Sequence, residues 1–204
     1  MNLLNTLFPE MSNNTDSKQI PKWIDFSSPW SILANDNHGL IEQIKLHLVG
    51  NHDVFIHPSA KIGDFVTIEG PSFVGPNVVI RHGAYIRKGS WICEGAVIGN
   101  SSEIKNSVML PGAKAPHFNY VGDSIVGHGV NLGAGVKLSN IRNDRGPVPI
   151  CLEDSTRIDS GMVKLGAMIG DNSQLGCNVV TNPGTIIMPK TSIKPNQSVL
   201  GWVN

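Results

Sequence analysis

From Ile56 onward an aliphatic residue returns every six positions: Ile56, Ile62, Ile68, Val74, Ile80, Ile86, Ile92, Ile98, Ile104 and Leu110. Small or turn-forming residues follow many of these anchors, as in Ile62-Gly63-Asp64, Val74-Gly75-Pro76 and Ile98-Gly99-Asn100. A helix repeats every 3.6 residues and an ordinary strand every two, so neither holds a six-residue register over this length. Each hexad therefore reads as a short strand plus a corner, and the chain is expected to coil with like positions stacked on like.

The register slips after Leu110, resumes at Val126, Leu132 and Leu138, slips again, and then runs through Ile169, Leu175, Thr181, Ile187, Ile193 and Val199. Two loop insertions are expected, near 111–125 and 140–168, because departures from a solenoid repeat usually map to loops on one face. Ahead of the coil, which is taken as 52–204, residues 1–22 are Asn/Ser-rich and read as a flexible tail. Residues 23–51 carry Trp30, Ile32, Leu33, Ile41, Ile44, Leu46 and Leu48, and predict a short helical cap with Ser28 or Asn37 as an N-cap. The cap is expected to cover the open end of the coil, whose terminal strand edges need protection.

Composition supports a turn-rich fold: 22 glycines, 13 prolines and 6% aromatic residues among 204. Sixteen basic residues balance sixteen acidic ones, which gives no reason to expect nucleic acid or an anionic membrane as partner. No apolar run is long enough for a membrane-spanning helix, and Met1–Phe8 lacks the basic start of a signal peptide. Cys93, Cys151 and Cys177 fit no metal or disulfide spacing. A cytoplasmic protein is expected.

The hexads resemble the left-handed parallel β-helix of the hexapeptide-repeat acyltransferases, an all-β fold whose members are trimers with active sites between subunits. A longer stretch, EIKNSVMLPGAKAPHFNYVGDSIVGHGVNLGAG at 103–135, is similar to two members of that family. One is the acetyltransferase domain of the bifunctional enzyme forming UDP-N-acetylglucosamine; the other is the C-terminal β-helix of archaeal-type sugar-1-phosphate nucleotidylyltransferases. The resemblance implies acetyl-CoA as co-substrate and glucosamine-1-phosphate or galactosamine-1-phosphate as acceptor. It places His117 at the catalytic base and Glu103 at the carboxylate that orients it. Arg87, Lys105, Tyr120 and Asn131 fall on sugar and phosphate contacts, and Ala134 and Asn140 lie beside acetyl-CoA. The run Asn140-Ile141-Arg142-Asn143-Asp144-Arg145 departs from the bifunctional pattern, which carries a sugar-phosphate lysine; Arg142 and Arg145 are the two candidates to replace it, and the sequence does not choose between them.

The residues themselves fit this chemistry. Imidazole, with an ordinary pKa near 6.5, suits proton abstraction from an amine. Arg87 and Lys105 are eighteen residues apart, three hexads, so they are expected to stack about 4.8 Å apart, and two like charges that close invite an anion between them. His52 and His57 form the beginning of a zinc pattern, but no third histidine stands in the needed order, so no metal site is expected. The first fifty residues hold no glycine-rich phosphate loop, so nucleotidyl transfer by this chain alone is not expected. The competing expectation is a non-catalytic sugar-nucleotide-binding trimer that partners a separate nucleotidyltransferase, since a fold can be inherited without its activity.

Overall fold

The structure is a computed structural model and describes residues 2–13 and 20–204. Strands of two to four residues wind into a three-sided parallel β-helix of the left-handed hexapeptide kind. Each full coil gives one strand to each of three sheets: an eight-stranded sheet from Val54–Ile56 to Trp202–Val203, a seven-stranded sheet from Lys61–Ile62 to Ser192–Ile193, and a seven-stranded sheet from Thr67–Ile68 to Ser198–Val199.

The hexad anchors fill the interior. Val74, Ile80, Ile86, Ile92, Ile98 and Ile104 are at most 1% exposed and belong to one continuous core. The glycine after many anchors is required by the tightness of the coil. A Cβ on Gly63 would lie 2.7 Å from the His82 amide nitrogen, and one on Gly99 would lie 1.5 Å from the Pro116 carbonyl oxygen. At one corner a column of buried serines caps main-chain carbonyls: Ser90 Oγ donates to Arg87, Ser107 Oγ to Lys105 and Ser124 Oγ to Gly122.

The slip at 111–125 is a shortening, not an inserted loop. Val54 pairs with Ser72 and Ser72 with Ser90, but Trp91 pairs with Val108 and Val108 with Ile125, each one residue short of eighteen. Residues 114–122 stay in the coil as the strands Lys114–His117 and Tyr120–Gly122. One missing residue exchanges inside for outside, because side chains alternate along a strand. Met109, opposite Ile92, takes the core position, while Leu110 packs outside the coil. The second interruption does leave the coil. Ile125 pairs with Met168, and the intervening excursion carries an antiparallel hairpin of Pro149–Cys151 and Arg157–Asp159.

The N-terminal region differs from expectation in two ways. Within the expected tail, Leu3–Leu7 is a helix whose Leu3, Leu4 and Leu7, with Phe8, are at most 2% exposed. Residues 14–19 of that tail lie outside the described part. The helical region also covers a side of the prism instead of its end. On the outer face of the eight-stranded sheet Phe55, Phe73 and Trp91 stack with ring centroids 4.8 and 4.4 Å apart. Leu3, Leu7, Phe8, Trp30, Leu33 and Ile44 pack against the same face, which continues through Val108, Ile125, Met168 and Ile186. None of the described helices covers the interior anchors of the first coil, where Ile56 and Ile62 are 43% and 40% exposed. The helix Leu40–Lys45 starts at Gly39, not Asn37, and Ser28 precedes the 3-10 helix Pro29–Leu33 without a side-chain capping bond.

Candidate active site

The third sheet turns a polar ladder outward. Inward Ile86, Ile104, Val121 and Leu138 alternate with outward Tyr85 and Arg87, Glu103 and Lys105, Tyr120 and Gly122, and Lys137. Register stacks Tyr85 on Glu103, Glu103 on Tyr120 and Tyr120 on Lys137. Arg87 and Lys105 occupy like positions in adjacent coils, as their eighteen-residue spacing requires.

Their charges are answered from within the chain. Arg87 Nη1 donates to Glu103 Oε1 at 2.9 Å, and its Nε lies 3.9 Å from Glu69 Oε2. That bond to Glu103 holds the guanidinium above its already high range. Glu69 also accepts from the Tyr85 hydroxyl. Lys105 Nζ donates to Asp123 Oδ2 at 2.9 Å. The repulsion between the two cations is thus relieved by carboxylates of the chain itself. Lys137 differs: its Nζ donates to the Gly135 carbonyl at 2.6 Å, and no carboxylate pairs with it among the described residues.

Tyr120, half-buried, leans over Gly122. A Cβ on Gly122 would lie 2.5 Å from the Tyr120 hydroxyl and 2.9 Å from Asn140 Nδ2. Burial, then the nearby Asp123 and Glu103 carboxylates, hold the Tyr120 phenol above its ordinary range. Asn140, the last residue before the excursion, donates its amide to Asp123. Asp123 is not among the residues the sequence singles out; its partners are 17 and 18 residues away and invisible to local inspection.

His117 ends the strand Lys114–His117 in the second sheet, opposite Asn100. Its side chain is exposed, and the ring makes no hydrogen bond among the described residues. Glu103 is held by Arg87 and does not orient it. The backbone around His117 is nevertheless fixed: the buried Asn119 accepts from the His117 amide at 3.0 Å and donates to the Gly133 carbonyl at 2.7 Å. Phe118 follows in the left-handed region at φ 37°, 58% exposed, with its ring over Gly135. Asn131 lies on the second sheet between Lys114 and Gln174, and Ala134 stands at the next corner. Arg87, Glu103, Lys105, Tyr120 and Asn140 thus come together on the third-sheet side, while His117 and Asn131 belong to the adjoining sheet.

Beyond Asn140 a cavity of about 490 Å³ opens between the excursion and the last coils, lined by residues including Ser139, Arg142, Arg157, Asn182 and Leu200. Arg142 is held by Asp144, its Nε 2.9 Å from Oδ1, and donates to the Pro147 carbonyl. No group of three or more histidine, cysteine or acidic residues with metal-binding geometry occurs among the described residues.

No family model matches the chain. It is 35% identical over 191 residues to a bifunctional sugar-1-phosphate nucleotidylyltransferase/acetyltransferase of Sulfurisphaera tokodaii, covering 87% of this chain and 46% of that protein. It is also 35% identical over 188 residues to the bifunctional protein GlmU of Methanococcus vannielii, covering 85% of this chain and 43% of that one. A solved structure of PerB from Caulobacter crescentus, in complex with CoA and GDP-perosamine, aligns with 73% of this chain and 55% of that chain at 16% identity and a TM-score of 0.29. The chain spans less than half the length of the two curated relatives. The matched stretch takes in the hexad coil and the motif at 103–135, and over it the chain is similar to these bifunctional proteins.

Proposed function

We propose that the chain is an acetyl-CoA-dependent N-acetyltransferase whose acceptor is an amino-sugar phosphate of the glucosamine-1-phosphate or galactosamine-1-phosphate type. The observation that carries this reading is the similarity, over more than four-fifths of the chain and across the coils that bear the polar ladder, to a protein named for both sugar-1-phosphate nucleotidylyl transfer and acetyl transfer. Tyr120, Arg87 and Lys105 line the acceptor side, and Asn140 with the adjoining cavity lines the thioester side. That cavity is of a size usual for small-molecule sites.

In the reaction the neutral amine nitrogen attacks the thioester carbonyl, a C–N bond forms, the C–S bond breaks, and His117 carries the amine proton to the departing thiolate. The exposed imidazole needs a ligand or a second chain to define its orientation. The second and third sheets point in different directions, which gives a homotrimer its role: His117 and Asn131 of one copy meet the third-sheet face of the next.

The test is thiol release from acetyl-CoA with a panel of amino sugars, phosphorylated and not. Turnover of a phosphorylated amino sugar is expected, falling about 10²–10⁴-fold in His117→Ala. Lys137→Met should raise KM for the phosphorylated acceptor and leave the unphosphorylated one unchanged. Absence of turnover across the panel refutes the reading. The lack of a carboxylate on His117 among the described residues favours one alternative, a sugar-nucleotide-binding module that partners a separate nucleotidyltransferase; calorimetry showing sugar-nucleotide binding without CoA binding would establish it.

A further inference from the structure

We infer that Asp123 is a positioning residue that ties the acceptor side of the site to its thioester side. The inference rests on the proposed function for the identity of the two ligands, and on geometry for the rest.

Asp123 is 3% exposed and sits at a corner in the left-handed region, φ 47°. A carboxylate so placed is stable only if its oxygens are well supplied with donors. Three side chains supply them: Lys105 Nζ and Asn140 Nδ2 on Oδ2, and Asn106 Nδ2 on Oδ1 at 2.9 Å. The main chain is fixed as well. The Asp123 amide donates to the Lys105 carbonyl at 2.9 Å, and its carbonyl accepts from Gly166 at 2.8 Å.

These partners come from different parts of the fold. Lys105 belongs to the acceptor ladder. Asn140 opens the excursion and Gly166 closes it, so both roots of that excursion are anchored on one residue. Asn106 also donates to the Leu33 carbonyl at 3.0 Å, joining the N-terminal cover to the same node. Tyr120 is held by the result, because its hydroxyl and the Asn140 amide share the space above Gly122. A residue serving stability alone would need no common attachment to the acceptor-side cation and the thioester-side amide. Asp123 fixes one relative to the other.

Asp123→Asn keeps the shape, removes the charge, and turns an amide donor toward at least one of three donors. Dissociation constants for glucosamine-1-phosphate and for CoA are measured by calorimetry alongside thermal melting and steady-state kinetics. Both constants are expected to rise about tenfold or more in a folded variant, with kcat reduced. Lys105→Met and Asn140→Ala provide the second reading if Asp123→Asn fails to fold: each should weaken the ligand on the opposite side as well as its own. The inference is overturned if folded Asp123→Asn keeps both constants within twofold of wild type, or if the two outer variants show no such cross effect. Wild-type protein that binds both ligands without turnover refutes the proposed activity only; wild type that binds neither overturns both.

Discussion

Two glycine-to-alanine substitutions separate what the coil needs from what the site needs. At Gly99 the new methyl carbon would stand 1.5 Å from the Pro116 carbonyl oxygen and 2.0 Å from its carbon, both main-chain atoms of the next coil. Nothing there can rotate away, so the coils must part or the sheet register must break. At Gly122 the obstruction is the Tyr120 hydroxyl at 2.5 Å, Tyr120 Cζ at 2.8 Å and Asn140 Nδ2 at 2.9 Å, all tips of side chains. They can move, at about 1–3 kcal/mol for overpacking, with a further cost of similar size if the Asn140–Asp123 bond is lost. Such a loss lowers Tm by roughly 2–4 °C per kcal/mol in a chain of this size. Activity should suffer more than stability, because displacing positioned groups by about 1 Å costs on the order of a hundredfold. Gly122→Ala is therefore expected to remain folded by circular dichroism with a modestly lower Tm and acetyl transfer reduced about a hundredfold, while Gly99→Ala is expected to be largely unfolded. Unchanged kinetics in Gly122→Ala would refute the placement of Tyr120 and Asn140 in the working site.

Two further outcomes follow from the fold. Deleting residues 1–13 removes the buried Leu3, Leu4, Leu7 and Phe8, each contributing about 1.5–3 kcal/mol before the cost of ordering the segment, and uncovers part of the first sheet's apolar face. Lower Tm and increased binding of a hydrophobic dye are expected; an unchanged melting curve would contradict the packing. The chain has only two tyrosines, and both phenols are held above their ordinary range, Tyr120 mainly by burial and Tyr85 mainly by its hydrogen bond to Glu69. Their stabilising contribution is complete below the unfolded tyrosine pKa and is lost as pH rises through the folded values. Phenolate absorbance should accordingly appear above about pH 10 in native protein and earlier in urea.

Much of the coil was legible because its cause is local: an interior anchor every six residues and a glycine where adjacent coils nearly touch. The existence of the first register slip was legible as well, but neither its sign nor its place, since the coil already shortens between Ile104 and Met109. A coil shortened by one residue and a coil interrupted by a loop both break a count of six, so Leu110 read as an interior anchor although Met109 holds that place. The N-terminal helix was masked by composition. Leu3, Leu4 and Leu7 have helical spacing, yet the polar residues after Glu10 made the whole segment read as a tail. The stacking of Arg87 and Lys105 followed from the coil period, whereas the carboxylates that neutralise them did not. Glu69, Glu103 and Asp123 meet their partners 16 to 18 residues away, and only a three-dimensional register shows that Arg87 and Lys105 are already paired.

The three faces of the prism have become chemically distinct through what each strand turns outward. The first sheet presents Phe73, Trp91, Val108 and Ile125, and the chain covers that face with its own N-terminal helices. The third presents Glu69, Arg87, Glu103, Lys105 and Tyr120, a surface that holds its charges in internal pairs and leaves Lys137 without a carboxylate among the described residues. The second carries His117 and Asn131. The apolar cover is therefore more than a stabilising layer, because Leu33 of that cover accepts from Asn106, and Asn106 donates to Asp123. Burial on the first face thereby constrains the geometry of the third across the corner they share, and a disturbance of the cover should be felt at Lys105 and Asn140 even though no residue of the cover belongs to the proposed site.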